Sequence, residues 1–584
     1  MSKKRTSKTA KSSVRAKRTV RKPKAETGGD KVIAKRGGGV PLAVRDAVAR
    51  SDANQPPHVV VRARAGTGKT FTLVIGLAYM VGGKVWRRCC DVLGFEPEPS
   101  PQQLQVWDAL CQGEQPGSVI YLAFNRSIVE EFDDKYAWLV KALAVSGVEL
   151  SFRTVHSLGN SACFKGMGRS RLNKYRTQNI MERVLDCDIR EFRKDTTGRL
   201  IVKGVEELVG KCKLTLTGWD GVSLSPPEDD ELMQLARRFG LFEYATPVVF
   251  EHTRNVLLES VKKDGEMDYN DMIWLPIVNG YHITKQDLVL GDEAQDWNAC
   301  QQSIILQAGR RYFICGDDWQ AIYGFTGADT ASIETMKTKL EQRGKVVEYP
   351  LTVTRRCGSV IVKAAQELVP DFEAHPDNLP GEIRDLSYAD AFKEYGDGDM
   401  VLCRTNAPLV GLAFRLIRNG RKANIKGRDI GAGLISTIDS LRPASVDDLL
   451  ERVDDWFTKE AAKHSKRKNP NEEAIIALED RRDCIVAFCH GCSTVPEIKE
   501  TINRLFDDND CQGTLLASVH RSKGLEACKV YILRPEQLPH PMAKTPEARE
   551  QENHLRYVAI TRAEHTLTWV QGGPKDETNI AADV

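Results

Sequence analysis

The stretch from Val59 to Leu73 constrains this chain more than any other. Val59, Val60 and Val61 form a short β-branched run, Ala63 to Gly68 a turn of small residues and glycines, and Phe71, Val74, Ile75, Leu77 and Ala78 an apolar period that opens a helix. A strand running through such a turn into a helix is a phosphate cradle. Glycines let backbone N–H groups converge on a polyphosphate without a Cβ in the way, and the helix N-terminus adds partial positive charge. Ala65, Gly66, Thr67 and Gly68 make the cradle. Lys69 is set to reach the β- and γ-phosphates, and the Thr70 hydroxyl to ligate Mg²⁺. The strict pattern has glycine where Ala63 stands, so the match is to a variant.

A cradle alone names no chemistry. The second apolar strand, Leu288-Val289-Leu290-Gly291, ends in Asp292-Glu293-Ala294-Gln295-Asp296. Adjacent carboxylates at a strand tip place Asp292 to hold Mg²⁺ and Glu293 to activate an attacking water. A third strand, Tyr312 to Cys315, feeds a polar turn in which Gln320 is placed to sense a γ-phosphate. Tyr323 and Phe325 then offer rings for base stacking or for core packing.

Charge divides the chain unevenly. Residues 1–36 hold 14 Lys/Arg against Glu26 and Asp30, a charge of +12, so the remainder sums to −9 of a net +3. Residues 1–39 are poor in large apolar side chains and read as a disordered basic tail, either a nonspecific nucleic-acid arm or a solvated or targeting segment. Fifteen cysteines in apparent helices and strands argue for reduced thiols and a cytosolic protein. No apolar run approaches the roughly 20 residues of a membrane span, and no membrane partner is expected. Cys484, Cys489, His490 and Cys492 supply a single Cys-x-x-Cys within a helical segment, which does not read as a metal site.

Between these motifs, Gly82 to Gly117 reads as a surface insertion with a short helix from Gln102 to Leu110. Residues 160–265 read as mostly helical, with Arg169, Arg171, Lys174 and Arg176 forming a basic run that suits a solvated face better than a DNA contact. Three helices are expected at 447–463, 472–489 and 495–506, with the charged run Lys463 to Pro470 as an exposed loop.

The ordered set resembles the UvrD/Rep/PcrA-type helicases of superfamily 1, in a short form like the phage-type relatives. Besides the motifs above, Leu351 to Cys357, Val401 to Leu409, Ser518 to Glu526 (SVHRSKGLE) and Leu555 to Ala563 (LRYVAITRA) resemble the later motifs of that family. The resemblance implies an α/β fold of two RecA-like parallel-sheet domains with ATP and Mg²⁺ in the cleft. The first domain would comprise 40–159 and 266–345, interrupted by a helical insertion at 160–265. The second would comprise 346–435 and 511–584, with a short helical insertion at 436–510 in place of a large one.

By the same resemblance Lys69, Thr70, Asp292, Glu293 and Gln320 act from the first domain, and Arg356 and Arg562 neutralise γ-phosphoryl charge from the second. Glu526 would lie near the ribose, and Phe124, His156, Tyr323, Phe325 and His520 along a single-stranded DNA track. The implied activity is ATP hydrolysis coupled to 3′–5′ movement on single-stranded DNA and at ss/ds junctions, in the cytoplasm and at the nucleoid, with replication, repair or recombination partners. An ATP-gated single-stranded DNA clamp without processive movement is the alternative. Two departures bear on base selectivity. No Gln lies near Val44, where the family reads adenine, and Arg355 stands where the family has a stacking Tyr. Gln102 and Gln103 lie far along the chain from that place and could not substitute without an unusual path.

Overall fold

A computed structural model describes residues 56–572 apart from 124, 325–326, 328–330, 466–471 and 507–512. The basic tail, the Val44 region, Phe124, Phe325 and the end of the charged run therefore lie outside the described residues.

The valine run becomes β1 (His58–Ala63), a strand buried on both faces. It joins β2 (Ser118–Ala123), β3 (Glu149–Thr154), β4 (Gln286–Gly291), β5 (Gly309–Gly316) and β6 (Val346–Leu351) in one sheet of order β3-β2-β4-β5-β1-β6. Every pairing is parallel, with Val60 opposite Ile314 and Val61 opposite Tyr349. Parallel sheets need cover on both faces, which is why the inner strands β1, β2, β4 and β5 carry continuous buried apolar runs, whereas the edge strand β3 alternates. On one face Val59, Val61, Tyr121 and Phe313 pack with Leu73, Ile75 and Trp107. On the other, Val60, Ile120, Val289 and Ile314 share a continuous core with Val205, Leu208, Trp274 and Trp297.

That second core ties the helical stretch to the sheet. Its helices (Val155–Met167, Arg176–Leu185, Thr196–Thr215, Asp229–Arg238, Pro247–Ser260 and Asp271–Val278) merge with the sheet in one apolar mass. Arg176 leaves the basic run altogether: it is fully buried and paired with Asp271 at 2.7 Å and Asp264 at 3.2 Å.

The Gly82 to Gly117 segment is also not a surface insertion. Its helices Gly83–Leu93 and Pro101–Leu110 send Val85, Cys89, Val106, Trp107 and Leu110 into the core beside the cradle helix Lys69–Val81. Trp107 Nε1 donates to Thr72 O at 2.9 Å, and truncating so large a buried ring costs about 3–5 kcal/mol. At the start of the second helix Ser100 and Gln103 build a capping box: Ser100 caps the helix and Gln103 answers it.

The second sheet contains β7 (Glu382–Ser387), β8 (Met400–Cys403), β9 (Ala423–Ile425), β10 (Thr514–Ser518), β11 (Ala527–Leu533) and β12 (Ala563–Gln571). Its order is β7-β12-β11-β8-β10-β9, again all parallel. The two sheets form the expected pair of RecA-like folds. Helices Val446–Ser465, Glu472–Gly491 and Val495–Leu505 pack on the second; the first runs two residues beyond its expected end, so Lys463 to Ser465 are helical and not loop. Cys484 and Cys489 are buried there among Ile485, Phe488 and Ile498. Between the sheets lies one more apolar cluster, which joins Ala65 and Ile322 from the first to Phe372, Ile532 and Tyr557 from the second. Among the described residues no helix is long and apolar enough to cross a membrane.

Candidate nucleotide and nucleic-acid site

The cradle turns on Gly66 (φ 67°) and Gly68 (φ 80°), backbone angles that suit glycine. Gly66 carries a second constraint: a Cβ there would lie 2.5 Å from Arg356 Cβ and Thr354 Oγ1. Glycine is thus required both by the turn and by the close approach of the segment that carries Arg355 and Arg356. Arg355 N–H donates to Gly66 O at 3.1 Å, fixing that approach.

A cavity of about 700 Å³ opens at this point. From the first sheet it is lined by Gly66, Gly68, Lys69, Thr70, Asp292, Glu293 and Gln320, and from the second by Arg355, Arg356, Glu526 and Arg562. Ala65 and Thr67 belong to the loop but do not line the cavity. Ala65 is buried in the inter-sheet cluster, and the Thr67 hydroxyl donates to Arg64 O at 2.8 Å, bracing the turn.

Charge on the first-sheet side is paired. Lys69 Nζ donates to Glu293 Oε2 at 3.0 Å, and Thr70 Oγ1 to Asp292 Oδ2 at 3.0 Å, an oxygen that also accepts from Tyr121 OH at 2.6 Å. Burial pulls the Lys69 ammonium down, but Glu293 and Asp292 outweigh it and keep the amine charged. Burial pushes Glu293 up, while Lys69 and Lys523 bring it to about 2. Asp292 rises above the usual carboxylate range through burial and its neighbour Glu293. Glu293 also holds a left-handed backbone, φ 54°, a strain of about 1–3 kcal/mol for a non-glycine residue. Its amide donates to Asp292 Oδ1 at 2.9 Å, and that bond accompanies the turn.

The second-sheet side differs. Arg562 is 1% exposed, and its guanidinium donates to Val558 O, Leu525 O and Thr561 Oγ1. No carboxylate among the described residues forms an ion pair with it. Burial first, then Arg356, lowers it to about 10. Arg356 Nε pairs with Glu526 Oε2 at 2.5 Å. A buried cation with neutral partners and an open cavity beside it suits an anionic ligand.

The matches to known families follow the same two halves. Residues 109–341 match the UvrD/REP helicase N-terminal domain, and residues 446–571 the UvrD-like helicase C-terminal domain. The chain belongs to the UvrD/Rep/PcrA-type superfamily 1 helicases. It is 26% identical over 312 residues to F-box DNA helicase protein 1 of Schizosaccharomyces pombe, covering 49% of this chain and 34% of that protein. It is 22% identical over 472 residues to ATP-dependent DNA helicase PcrA of Bacillus subtilis, covering 58% and 62%. A probable DNA helicase II homolog of Mycoplasma pneumoniae is 24% identical over 222 residues, covering 34% and 30%. The aligned region thus spans between 30% and 62% of the length of these helicase relatives.

Of the expected nucleic-acid residues of this UvrD-type chain, Tyr323 and His520 meet across the sheets, with Tyr323 OH donating to His520 O at 3.3 Å. Burial, then Arg404 and Arg521, lowers His520 to about 3. His156 follows the carboxyl end of β3 and finds a different partner. It stacks on Tyr269 at 4.2 Å between centroids and 22° between planes. Tyr269 is 59% exposed and was not expected from the sequence.

Other participants were also not evident from local pattern. Lys523 Nζ donates to Asp296 Oδ2 at 2.5 Å and Gln320 O at 2.7 Å, tying the later motif to both first-sheet motifs. Burial raises Asp296 to about 6, against the pull of Lys523. Tyr557 OH accepts from Ala65 N–H at 3.0 Å and lies 3.5 Å from Asp317 Oδ2. Arg64 grips Asp371 with two bonds of 2.9 and 2.8 Å. Gln102 and Gln103, distant in sequence, come beside the cradle after all. Gln103 Nε2 donates to Thr72 Oγ1 at 3.1 Å, and Gln102 bonds both Thr352 N–H and Thr352 Oγ1. The spacing of Gln-Gln after Ser-Pro signals a capped helix, but not which helix it lies against.

Proposed function

We propose that the chain is an ATP- and Mg²⁺-dependent motor that moves 3′ to 5′ along single-stranded DNA and displaces a strand at ss/ds junctions, serving replication, repair or recombination. The observation that carries this reading is the meeting, around one cavity, of Lys69, Thr70, Asp292 and Glu293 with Arg356 and Arg562. Thr70 Oγ1 and the Asp292 carboxylate offer the hard oxygen donors that Mg²⁺ prefers. When bound, Mg²⁺ neutralises charge that builds between the β- and γ-phosphate oxygens.

Each side chain then has a task. Lys69 exchanges its Glu293 partner for phosphate oxygens, which leaves Glu293 a stronger base for the attacking water. Gln320, held by Asp317 at 2.7 Å, orients that water or the γ-phosphoryl group. Arg356 and Arg562 meet the charge that develops in transfer, where a preorganised cation in a dry site acts most strongly. Arg355 and Glu526 hold the base and ribose end. Closing and opening of the cleft moves Tyr323 and His520, which join the two sheets, relative to His156 and Tyr269 along the strand.

Strand displacement tests the reading. Purified protein with ATP and Mg²⁺ should separate a duplex carrying a 3′ single-stranded tail and leave a 5′-tailed duplex paired. Absence of displacement and of movement on either substrate would contradict it, and ATP-dependent footprint changes without movement would favour the clamp.

A further inference from the structure

Residues 164–175 and 262–269 come together on the helical part of the first half. A short parallel pair sets Arg171–Leu172 against Glu266–Met267, with Arg171 N–H donating to Gly265 O and Asn173 N–H to Met267 O. Lys263 Nζ reaches Gly166 O at 3.4 Å and ties in the end of the helix Val155–Met167. This surface exposes four large apolar side chains: Phe164 (57%), Leu172 (54%), Tyr175 (51%) and Tyr269 (59%).

Its charge is as one-sided as its apolar content. Lys165, Arg169, Arg171, Lys174 and Lys263 are exposed, and none forms an ion pair with a described residue. The nearby carboxylates are already engaged. Asp264 pairs with Arg176 and Arg183, Asp268 with Lys213, Glu259 with Lys262, and Glu266 accepts from Asn173. Within a body of net charge −9 after residue 36, a local surplus of cations fits a polyanion. A solvated basic loop gives no account of the rings. Exposed rings among cations are how proteins hold unpaired bases, with backbone charge neutralised alongside. Lys174 Nζ lies over the Tyr175 ring, 4.8 Å from its centroid, so the ring stays half exposed with a cation against it.

We propose that this surface is a second single-stranded DNA contact, which takes the strand onward from the His156–Tyr269 stack over Tyr175 and the cations Arg169, Arg171 and Lys174. It rests on the reading of the chain as a single-stranded DNA motor and adds a longer occluded site, with its outer part held largely by charge and stacking.

Fluorescence anisotropy on the full chain, without nucleotide, tests it with oligo-dT of about 8 and about 20 nucleotides across a salt series. The triple variant R169A/R171A/K174A should bind the longer strand at least about tenfold more weakly at 100 mM salt and the shorter one within about twofold of wild type. Each cation that neutralises a phosphate of a single strand adds about 0.7 to the salt slope, so removing all three should reduce the slope on the longer strand by about 2. Tyr175→Ala should weaken the longer strand about five- to tenfold without changing that slope. Unchanged affinity and slope on the longer strand would overturn the proposal, as would equal weakening on both lengths. Weakened duplex binding with single-strand binding intact would overturn it in favour of a duplex contact. If wild type binds no single strand at all, the motor reading itself fails, and this extension with it.

Discussion

Two cations of the cavity, Lys69 on the first-sheet side and Arg562 on the second, are held in opposite ways. On the first-sheet side Lys69 is matched to Glu293, and Thr70 and Tyr121 to Asp292. On the second-sheet side Arg562 is buried against carbonyls and a hydroxyl. The first side can be stable with nothing in the cavity. The second bears a cation whose natural counter-charge is a ligand. On the proposed reading, polyphosphate would do two things at once: take Lys69 away from Glu293 and give Arg562 its anion.

The largest effect expected from this contrast is on Glu293, the proposed base. Glu293→Gln should lower turnover by about 10³-fold or more while nucleotide still binds, as equilibrium binding of a fluorescent ATP analogue would read. Arg562→Met comes next, with kcat lower by about 10²–10³-fold. Its thermal midpoint should equal or exceed that of wild type, because a buried charge without a carboxylate partner gives way to an apolar side chain of similar length. A clear drop in the midpoint would mean that Arg562 is structurally paired after all.

Lys69→Met should do the reverse for stability. Glu293 is depressed to about 2 from its ordinary 4.5, so its contribution is present above about pH 4.5 and is lost as pH falls toward 2. The variant should therefore unfold a few degrees below wild type at pH 7, and the gap should close as pH falls through that window. A gap independent of pH would break the pairing argument. Tyr557→Phe should be milder, raising the KM for ATP a few-fold with a smaller change in kcat, because it frees Ala65 N–H and loosens the cradle without touching a reacting group.

The smallest effect is at His520. Its folded value near 3 lies below the ordinary 6.5, so its contribution is present above pH 6.5 and is lost as pH falls toward 3. His520→Asn should narrow its distance from wild type in thermal midpoint over that range, whereas a constant difference would place the ring in solvent.

What the sequence revealed follows the same division. The turn at Gly66 and Gly68 and the Asp292-Glu293 strand tip were legible because each is a contiguous run, as were the apolar strands β1, β4 and β5, whose parallel pairing was implied only by the family resemblance. Arg176 was misread because four basic residues within eight positions look alike until Asp271, 95 positions away, buries one of them. The helix Pro101–Leu110 was legible as a helix but its burial was not, because Gln103 and Trp107 are placed by partners on the cradle helix 31 and 35 positions away. Lys523 with Asp296, and Tyr557 with Ala65, join the two sheets across 227 and 492 positions, and no local pattern encodes such pairings.

The central claim is that the two sides of one cavity act together as a DNA-coupled ATP hydrolase. Steady-state ATP hydrolysis with and without single-stranded DNA, with Glu293→Gln as the blank, tests it most directly. The account predicts hydrolysis that single-stranded DNA strongly stimulates and that the variant abolishes. Hydrolysis retained in Glu293→Gln, or none above the blank when DNA is bound, would contradict it.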